Sequence, residues 1–100
     1  MSLFGKQERI CVEAKVMGVL GGNYVSVVTA LSLARGATVK TMLKALLEGG
    51  HVDETTYAAV KSLKPPLRIL INGEDATGRG RRAGLAHGDT VSIFTPLAGG

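Results

Sequence analysis

Residues 9–33, RICVEAKVMGVLGGNYVSVVTALSL, decide the fold class, because apolar and polar residues alternate on both sides of a short glycine-rich break. In the first segment, one face of the predicted strand is formed by Ile10, Val12, Ala14 and Val16. Alternation with a period of two is typical of a half-buried β-strand. The break at residues 20–23, LGGN, contains residues that tolerate positive φ, and it predicts a hairpin turn. The second segment alternates again, which predicts a β-hairpin with one face formed by Val25, Val27, Leu31 and Leu33.

The spacing of the apolar residues changes after Thr38, which is a favourable N-cap for a helix. Intervals of three and four residues then separate Val39, Met42, Leu43, Leu46 and Leu47. This spacing predicts an amphipathic helix that ends at Gly49 and Gly50. Residues 53–64, DETTYAAVKSLK, predict a second and weaker helix, which begins near Asp53 and ends at Pro65.

The rest of the chain contains two further strand patterns. Residues 67–71, LRILI, predict a third strand, and residues 72–75, NGED, predict a turn after it. An irregular loop follows, and a last strand is predicted over residues 88–95. Strands before and after a helix that can cover one face of a sheet predict a compact α+β domain.

The composition bounds the class of protein. A chain of 100 residues with 45% hydrophobic and 20% charged residues predicts one folded domain. One cysteine excludes an internal disulfide framework and fits a reducing cytosol, and no apolar run is long enough for a transmembrane helix. We therefore expect a cytoplasmic protein with no membrane partner. Residues 1–8 are interpreted as an N-terminal extension that could be disordered, residues 9–95 as a single domain and residues 96–100 as a flexible tail.

The formal net charge of +4 arises entirely between Lys61 and Arg82, where six basic residues stand beside two acidic ones. This concentration predicts a local basic patch. Its loop, GRGRR, contains Arg79, Arg81 and Arg82, which form either an ordinary solvated loop or a docking patch for an acidic partner or phosphate. A nucleic-acid-binding module is a further hypothesis, but an aromatic content of 4% argues against base stacking, so nucleic acid is not an expected partner.

The chain ends in TPLAGG, residues 95–100, and the two glycines need an explanation. Glycine loses more backbone freedom on ordering than other residues and offers no side chain to pack. One interpretation is an idle, frayed end. The other is a tail that enters a narrow channel in a partner, because only glycine passes without a Cβ atom. Pro96, with its fixed φ, would stiffen the stem of such a tail.

Several pieces of the sequence, taken in order, resemble the ubiquitin-like sulfur carriers. These pieces are GATVKTMLKAL (36–46), INGED (71–75) and GLAHGDTVSIFTPLAGG (84–100). That family includes the small subunit of molybdopterin synthase and the thiamine-pathway carrier. The resemblance implies a β-grasp fold, with a mixed sheet of four to five strands packed on one main helix. The stretch DETTYAAVKSLKPP (53–66), which the thiamine-type members lack, favours the molybdopterin-type branch.

The resemblance also implies a chemistry for the tail. A ubiquitin-activating-type adenylyltransferase would adenylate the carboxylate of Gly100, beside its slim neighbour Gly99, and sulfur would then replace the adenylate to give a thiocarboxylate. The activating partner would use ATP and magnesium, so no cofactor stays bound to the chain, which is itself not an enzyme. The second partner would be a larger synthase subunit or another sulfur-accepting enzyme. Contacts with these partners would come from Phe94, Thr95, Pro96, Leu97 and Ala98, although Phe94 could equally belong to the core.

Alternatives remain open for the acceptor and for the thiol. The chain could be a ubiquitin-like modifier that is attached to lysine amines through Gly100, or a carrier for thiamine or cysteine synthesis. Cys11 has no histidine beside it in sequence, and a plain strand cysteine is favoured over a sulfur-bearing thiol. His51 and His87 lie beside glycines without ligand spacing, so no metal site is expected.

Overall fold

Five β-strands and two α-helices make up most of the chain that the computed structural model describes, which comprises residues 9–62 and 66–96. In chain order these elements are β1 (Arg9–Leu20), β2 (Asn23–Ala34), α1 (Val39–Glu48), α2 (Glu54–Lys61), β3 (Arg68–Ile71), β4 (Glu74–Asp75) and β5 (Thr90–Phe94). A 3₁₀ segment, Thr77–Arg82, lies between β4 and β5. No helix within these residues is long and apolar enough to cross a membrane.

The strands form one mixed sheet in the order β2-β1-β5-β3-β4. β1 pairs in antiparallel fashion with β2 and in parallel with β5, and β5 pairs in antiparallel fashion with β3. The core lies between this sheet and α1. The structure therefore confirms the predicted α+β class and the ubiquitin-like β-grasp architecture.

The apolar faces predicted from the sequence meet in this core. The even-numbered residues of β1 are buried, and α1 buries Val39, Met42, Leu43 and Leu46. The predicted face of β2 is buried only at Leu33, whereas Val25, Val27 and Leu31 are half-buried. The reason is the position of β2 at the edge of the sheet, where no further strand of the described part of the chain shields it.

The predicted N-cap of α1 and the predicted start of α2 near Asp53 are confirmed. Thr38 and Thr41 form a reciprocal capping box at the start of α1. Asp53 caps α2, because its carboxylate accepts a hydrogen bond from the Thr56 N–H at 2.7 Å. That bond holds the pKa of Asp53 below its ordinary value, since it stabilises the charged form.

The ends of several elements differ from the sequence-based prediction. The second helix is predicted to end at Pro65, whereas α2 ends at Lys61. The turn at residues 72–75 is confined to Asn72 and Gly73, because Glu74 and Asp75 pair with β3 as the short strand β4. The last strand begins at Thr90 instead of Gly88. Residues before it form a turn in which Asp89 accepts a hydrogen bond from the Ala86 N–H at 2.8 Å.

The turn that contains Asn72 contacts the turn that contains Asp89. The Asn72 side-chain amide donates to a carboxylate oxygen of Asp89 at 2.8 Å, and the Thr90 N–H donates to the Asn72 side-chain oxygen at 2.9 Å. These bonds fix the start of β5 against the turn that follows β3. The position of β5 in turn fixes where the tail leaves the domain.

Candidate functional site

The end of β5 is anchored on the neighbouring strand β1 by one residue, Thr95. The Thr95 N–H donates to the main-chain oxygen of Met17 at 3.2 Å. The Thr95 hydroxyl oxygen accepts a hydrogen bond from the Val19 N–H at 3.1 Å. Pro96 follows as an exposed residue, so the anchored part of the chain ends at Thr95.

Gly18 is the residue of β1 that permits this anchor. Its φ is +128°, a conformation that side chains disfavour. A Cβ atom at Gly18 would lie only 1.9 Å from the Thr95 hydroxyl oxygen and 3.0 Å from the Thr95 main-chain nitrogen. A glycine inside an otherwise regular strand pattern often marks a close approach of another backbone. Gly18, which follows the alternating segment of β1, is the signal in the sequence that could have located this anchor.

The surface around the anchored residue is concave and mainly apolar. A shallow pocket of about 300 Å³ is lined by Met17, Gly18, Tyr24, Phe94, Thr95 and Pro96. The strand register places Met17 opposite Phe94 and Val19 opposite Tyr24. We call the four side chains Met17, Val19, Tyr24 and Phe94 the tail-root patch.

The tail-root patch is unusually exposed for its composition. Tyr24 is 70% exposed, Val19 60% and Met17 38%, whereas Phe94 is half-buried. A contiguous apolar surface of this kind typically marks a site of interaction with another protein. Sequence reasoning found Phe94 but missed the other members of the patch, because they are brought beside it only by the pairing of β1 with β2 and β5.

The other predicted tail residues divide into two groups. Thr95 and Pro96 line the pocket beside the tail-root patch. The remaining predicted positions, which lie outside the described residues, are Leu97, Ala98, Gly99 and Gly100. The proposed roles of all of these residues stay predictions, as does the flexibility assigned to residues 96–100. The predicted extension at residues 1–8 also lies outside the described part of the chain.

The basic loop forms 3₁₀ turns on either side of a kink at Gly80, whose φ of +58° is not helical. The buried residues Ala76 and Ala83 hold its two ends, while Arg79, Arg81 and Arg82 are exposed. The docking role of these arginines stays a prediction.

Asp75 ties the start of this segment to β3. Its carboxylate accepts a hydrogen bond from the Thr77 N–H at 2.9 Å and forms an ion pair with Arg68. Hydrogen bonds from Thr77, with a smaller contribution from Arg68, lower the pKa of Asp75 below its ordinary value.

The tertiary structure brings a histidine to Cys11 that the sequence separates from it. The Cys11 N–H donates to Nδ1 of His87 at 3.0 Å, and the Gly88 N–H donates to the Cys11 main-chain oxygen at 2.8 Å. His87 thus joins the loop before β5 to the main chain of β1. The Cys11 side chain is exposed, as expected for its face of the strand. Within residues 9–62 and 66–96, no three histidine, cysteine or acidic side chains stand close enough to hold a metal ion.

Comparison with known proteins identifies a family whose model matches most of this chain. The family model described as the ThiS family matches residues 22–100, which include β2, both helices, β5 and the terminal diglycine. A search of the curated proteins gave no significant match.

Two solved structures with a similar fold come from Haloferax volcanii. The solution structure of its HVO 2177 protein has 25% sequence identity and a TM-score of 0.61, and the match covers 93% of this chain and 89% of that one. The crystal structure of SAMP1 has 24% identity and a TM-score of 0.55, and the match covers 90% of this chain and 99% of that one.

Proposed function

The chain belongs to the ThiS family, and from this membership we propose that it is a sulfur carrier whose reactive group is the carboxylate of Gly100. A partner enzyme would join this carboxylate to the α-phosphate of ATP, with release of pyrophosphate. A sulfur nucleophile supplied by a partner, such as a persulfide, would then attack the acyl carbon and displace AMP. Reductive cleavage of the resulting acyl disulfide by a thiol would leave the thiocarboxylate, whose sulfur passes to an acceptor molecule.

The observation that carries this proposal is the position of the tail root. Thr95 is fixed on β1, and five residues, 96–100, follow it in sequence. Five residues span at most about 17 Å when fully extended. A partner that docks on the domain can therefore receive Gly100 only if its catalytic pocket lies within that distance of Thr95.

The residue types of the tail suit this chemistry. A carboxylate is a poor electrophile, and conversion to an acyl adenylate supplies a good leaving group. The acyl carbon must be held about 3–3.5 Å from its attacking partner, which requires the terminus to enter a tight pocket. Gly99 and Gly100 have no Cβ atoms to obstruct that entry, and the fixed φ of Pro96 reduces the entropy lost when the tail is inserted.

The tail-root patch is the surface on which we expect the activating enzyme to dock. Its exposed side chains surround the anchored residue, so an apolar partner surface would cover them while the tail enters the adenylation pocket. Burial of large apolar side chains supplies the affinity in such interfaces. The domain itself would supply no catalytic group, because the chemistry takes place in the partner.

Among the possible acceptors, we propose molybdopterin biosynthesis, with the chain as the small synthase subunit. The stretch that separates this sequence from the thiamine-type carriers forms the helix α2, which the structure packs against α1 and β1. The helix α2 is thus an integral element of the folded domain. This supports the molybdopterin-type branch that the sequence resemblance favours.

The experiment that tests the proposal combines mass spectrometry with activation assays. Intact mass of the protein from its native host should show a chain that ends at Gly100, with a fraction in which sulfur replaces one oxygen in the last peptide. Deletion of Gly100, or addition of one residue after it, should abolish ATP–pyrophosphate exchange with the activating enzyme and leave thermal stability nearly unchanged. Adenylation of either variant would refute the proposal.

A ubiquitin-like protein modifier is the second candidate, because the same activated glycine at residue 100 can be passed to a lysine amine. The two functions diverge only at the acceptor. Immunoblots of cell lysate should show no higher-mass adducts for a carrier and a ladder of adducts for a modifier. The same blot with the Gly100 deletion identifies adducts that form through the tail.

A further inference from the structure

Strand β2 is a long, unprotected edge of the sheet. It has twelve residues and, within residues 9–62 and 66–96, only one neighbouring strand, β1. Its sequence, NYVSVVTALSLA, contains no charged residue, no proline and no glycine. Proteins usually protect an edge of this length with lysines, prolines, bulges or a covering segment, because unpaired backbone groups recruit another strand.

The hydrogen-bond pattern shows which backbone groups face outward. Odd-numbered residues of β1 bond on the β5 side, since the Glu13 N–H donates to the Asp89 oxygen and the Met17 oxygen accepts from Thr95. Even-numbered residues of β1 therefore face β2, and the register pairs them with odd-numbered residues of β2. The outward N–H and C=O groups of β2 consequently belong to Tyr24, Ser26, Val28, Ala30, Ser32 and Ala34.

One end of this edge is already occupied. Arg9 reaches over it, and its guanidinium donates to the Ser32 main-chain oxygen at 2.9 Å and to the Ser32 hydroxyl at 3.2 Å. The remaining part of the edge is residues 24–30, where the Ala30 main-chain oxygen accepts a long hydrogen bond of 3.5 Å from the Thr29 hydroxyl. Among the described residues, no ladder partner lies beside its outward groups.

Both faces of the remaining part are apolar and incompletely covered. On the open face of the sheet, Tyr24 is 70% and Val28 58% exposed. On the face toward the helices, Val25 and Val27 are half-buried. A strand added at this edge would therefore bury apolar side chains on both sides of the sheet as well as satisfy the backbone groups.

We propose that β2 pairs in antiparallel fashion with β2 of a second copy of this chain, about a two-fold axis at Val27. This register places Tyr24 opposite Ala30 of the second copy and Ser26 opposite Val28. It makes about eight backbone hydrogen bonds, uses every outward group from residue 24 to residue 30, and stops before the Ser32 groups that Arg9 occupies. The small Ala30 leaves room for the Tyr24 ring across the strands.

Charge favours a second copy as the occupant. The net charge of +4 resides between Lys61 and Arg82, in elements that follow α1 and include β3 and β4 at the opposite edge of the sheet. Two copies therefore approach through uncharged strands, with little like-charge repulsion. β1 separates the interface between the two β2 strands from β5, so Thr95 of each copy stays outside it, whereas Tyr24 belongs to both this interface and the tail-root patch. The dimer does not depend on the proposed sulfur chemistry.

Sedimentation and amide exchange together test the dimer. Between about 10 µM and about 1 mM protein, the mass should rise from that of one chain toward twice that value. At high concentration the N–H groups of Ser26, Val28 and Ala30 should exchange slowly with deuterium, and on dilution they should exchange rapidly. The N–H groups of Val25, Val27 and Thr29, which face β1, should stay protected throughout.

Two variants test the interface between the two β2 strands directly. Val28→Lys places two ammonium groups near the two-fold axis, and Ala30→Pro removes an outward N–H without breaking a bond to β1. Each should weaken self-association at least about tenfold. Val19→Lys is the matched control, because Val19 has the same type and nearly the same exposure on the same face but lies on β1; it should leave self-association unchanged.

Three results would overturn the proposal. They are a monomer mass across the whole concentration range, a dimer whose even-numbered β2 amides exchange rapidly, and a dimer that survives both edge variants. Because the exchange pattern is measured on the unmodified protein, it decides the question even if a variant fails to fold.

Discussion

The Thr95 hydroxyl occupies the space in which a side chain at Gly18 would stand, with only 1.9 Å between the hydroxyl oxygen and an ideal Cβ position. The Thr95 side chain accepts a hydrogen bond from the residue after Gly18, so the two positions form one anchor for the end of β5. The anchor defines where the folded domain stops and where the tail begins. The first two predictions test it.

Gly18→Ala should lower the free energy of unfolding by roughly 2–4 kcal/mol, because it combines an unfavourable positive φ with a clash against Thr95. Urea unfolding measures this change. Gly22→Ala is the matched control, since Gly22 also has positive φ but a Cβ atom there would meet open space. An equal decrease in the free energy of unfolding in the two variants would show that the close approach to Thr95 does not affect stability.

Thr95→Val should lower the free energy of unfolding by about 1–3 kcal/mol, because the shape of the side chain is kept while the Val19 N–H loses its acceptor. Thr95→Ser keeps the hydroxyl and should retain most of the stability. With an activating enzyme, we expect Thr95→Val to raise KM for the carrier more than it lowers kcat. Identical unfolding curves for the valine and serine variants would contradict a role for this hydrogen bond.

Val19→Ser should weaken docking of the activating enzyme by about 1 kcal/mol or more, which is a five- to tenfold higher KM in ATP–pyrophosphate exchange. Stability should change by less than about 0.5 kcal/mol, since the side chain is mostly exposed. Val28→Ser removes an equally exposed valine from the same face but outside the tail-root patch, and KM should stay near the wild-type value. If both variants raise KM alike, the docking surface is broader than the patch.

The stabilisation by the Asp53 cap should depend on pH in one direction. The pKa of Asp53 is lowered in the folded protein, so the cap contributes fully above the ordinary value of 3.8 and the contribution is lost as the pH falls through the lower folded value. The difference in unfolding free energy between wild type and Asp53→Ala should therefore be constant near neutral pH and shrink below pH 3.8. A difference that persists at the lowest pH would assign the effect of the variant to helix propensity.

Most of the individual elements could be predicted because their signals are local. The alternation before and after the Gly21–Gly22 turn predicted the hairpin, and both glycines have positive φ as that turn requires. Thr38 and Asp53 were recognised as helix starts because an N-cap side chain bonds to a residue only three positions away. The short strand β4 was missed, since two residues cannot show a period.

The site was only partly predictable. Phe94, Thr95 and Pro96 could be selected because they precede the diglycine in sequence, whereas Met17 and Tyr24 had no signal that linked them to the tail. The bond between Val19 and Thr95 spans 76 positions. Residues so far apart meet through strand pairing, which apolar periodicity within one segment does not specify.

The sequence by itself determined four of the five strands, the starts of both helices and the diglycine that suggests acyl chemistry, because each depends on residues within a few positions of one another. Only the tertiary structure decided the strand order. That order places β5 beside β1, where Gly18 admits Thr95, and leaves β2 as an open edge. The physical reason is that a strand satisfies its backbone with whichever neighbour the packed core brings alongside it, and that choice belongs to the whole domain.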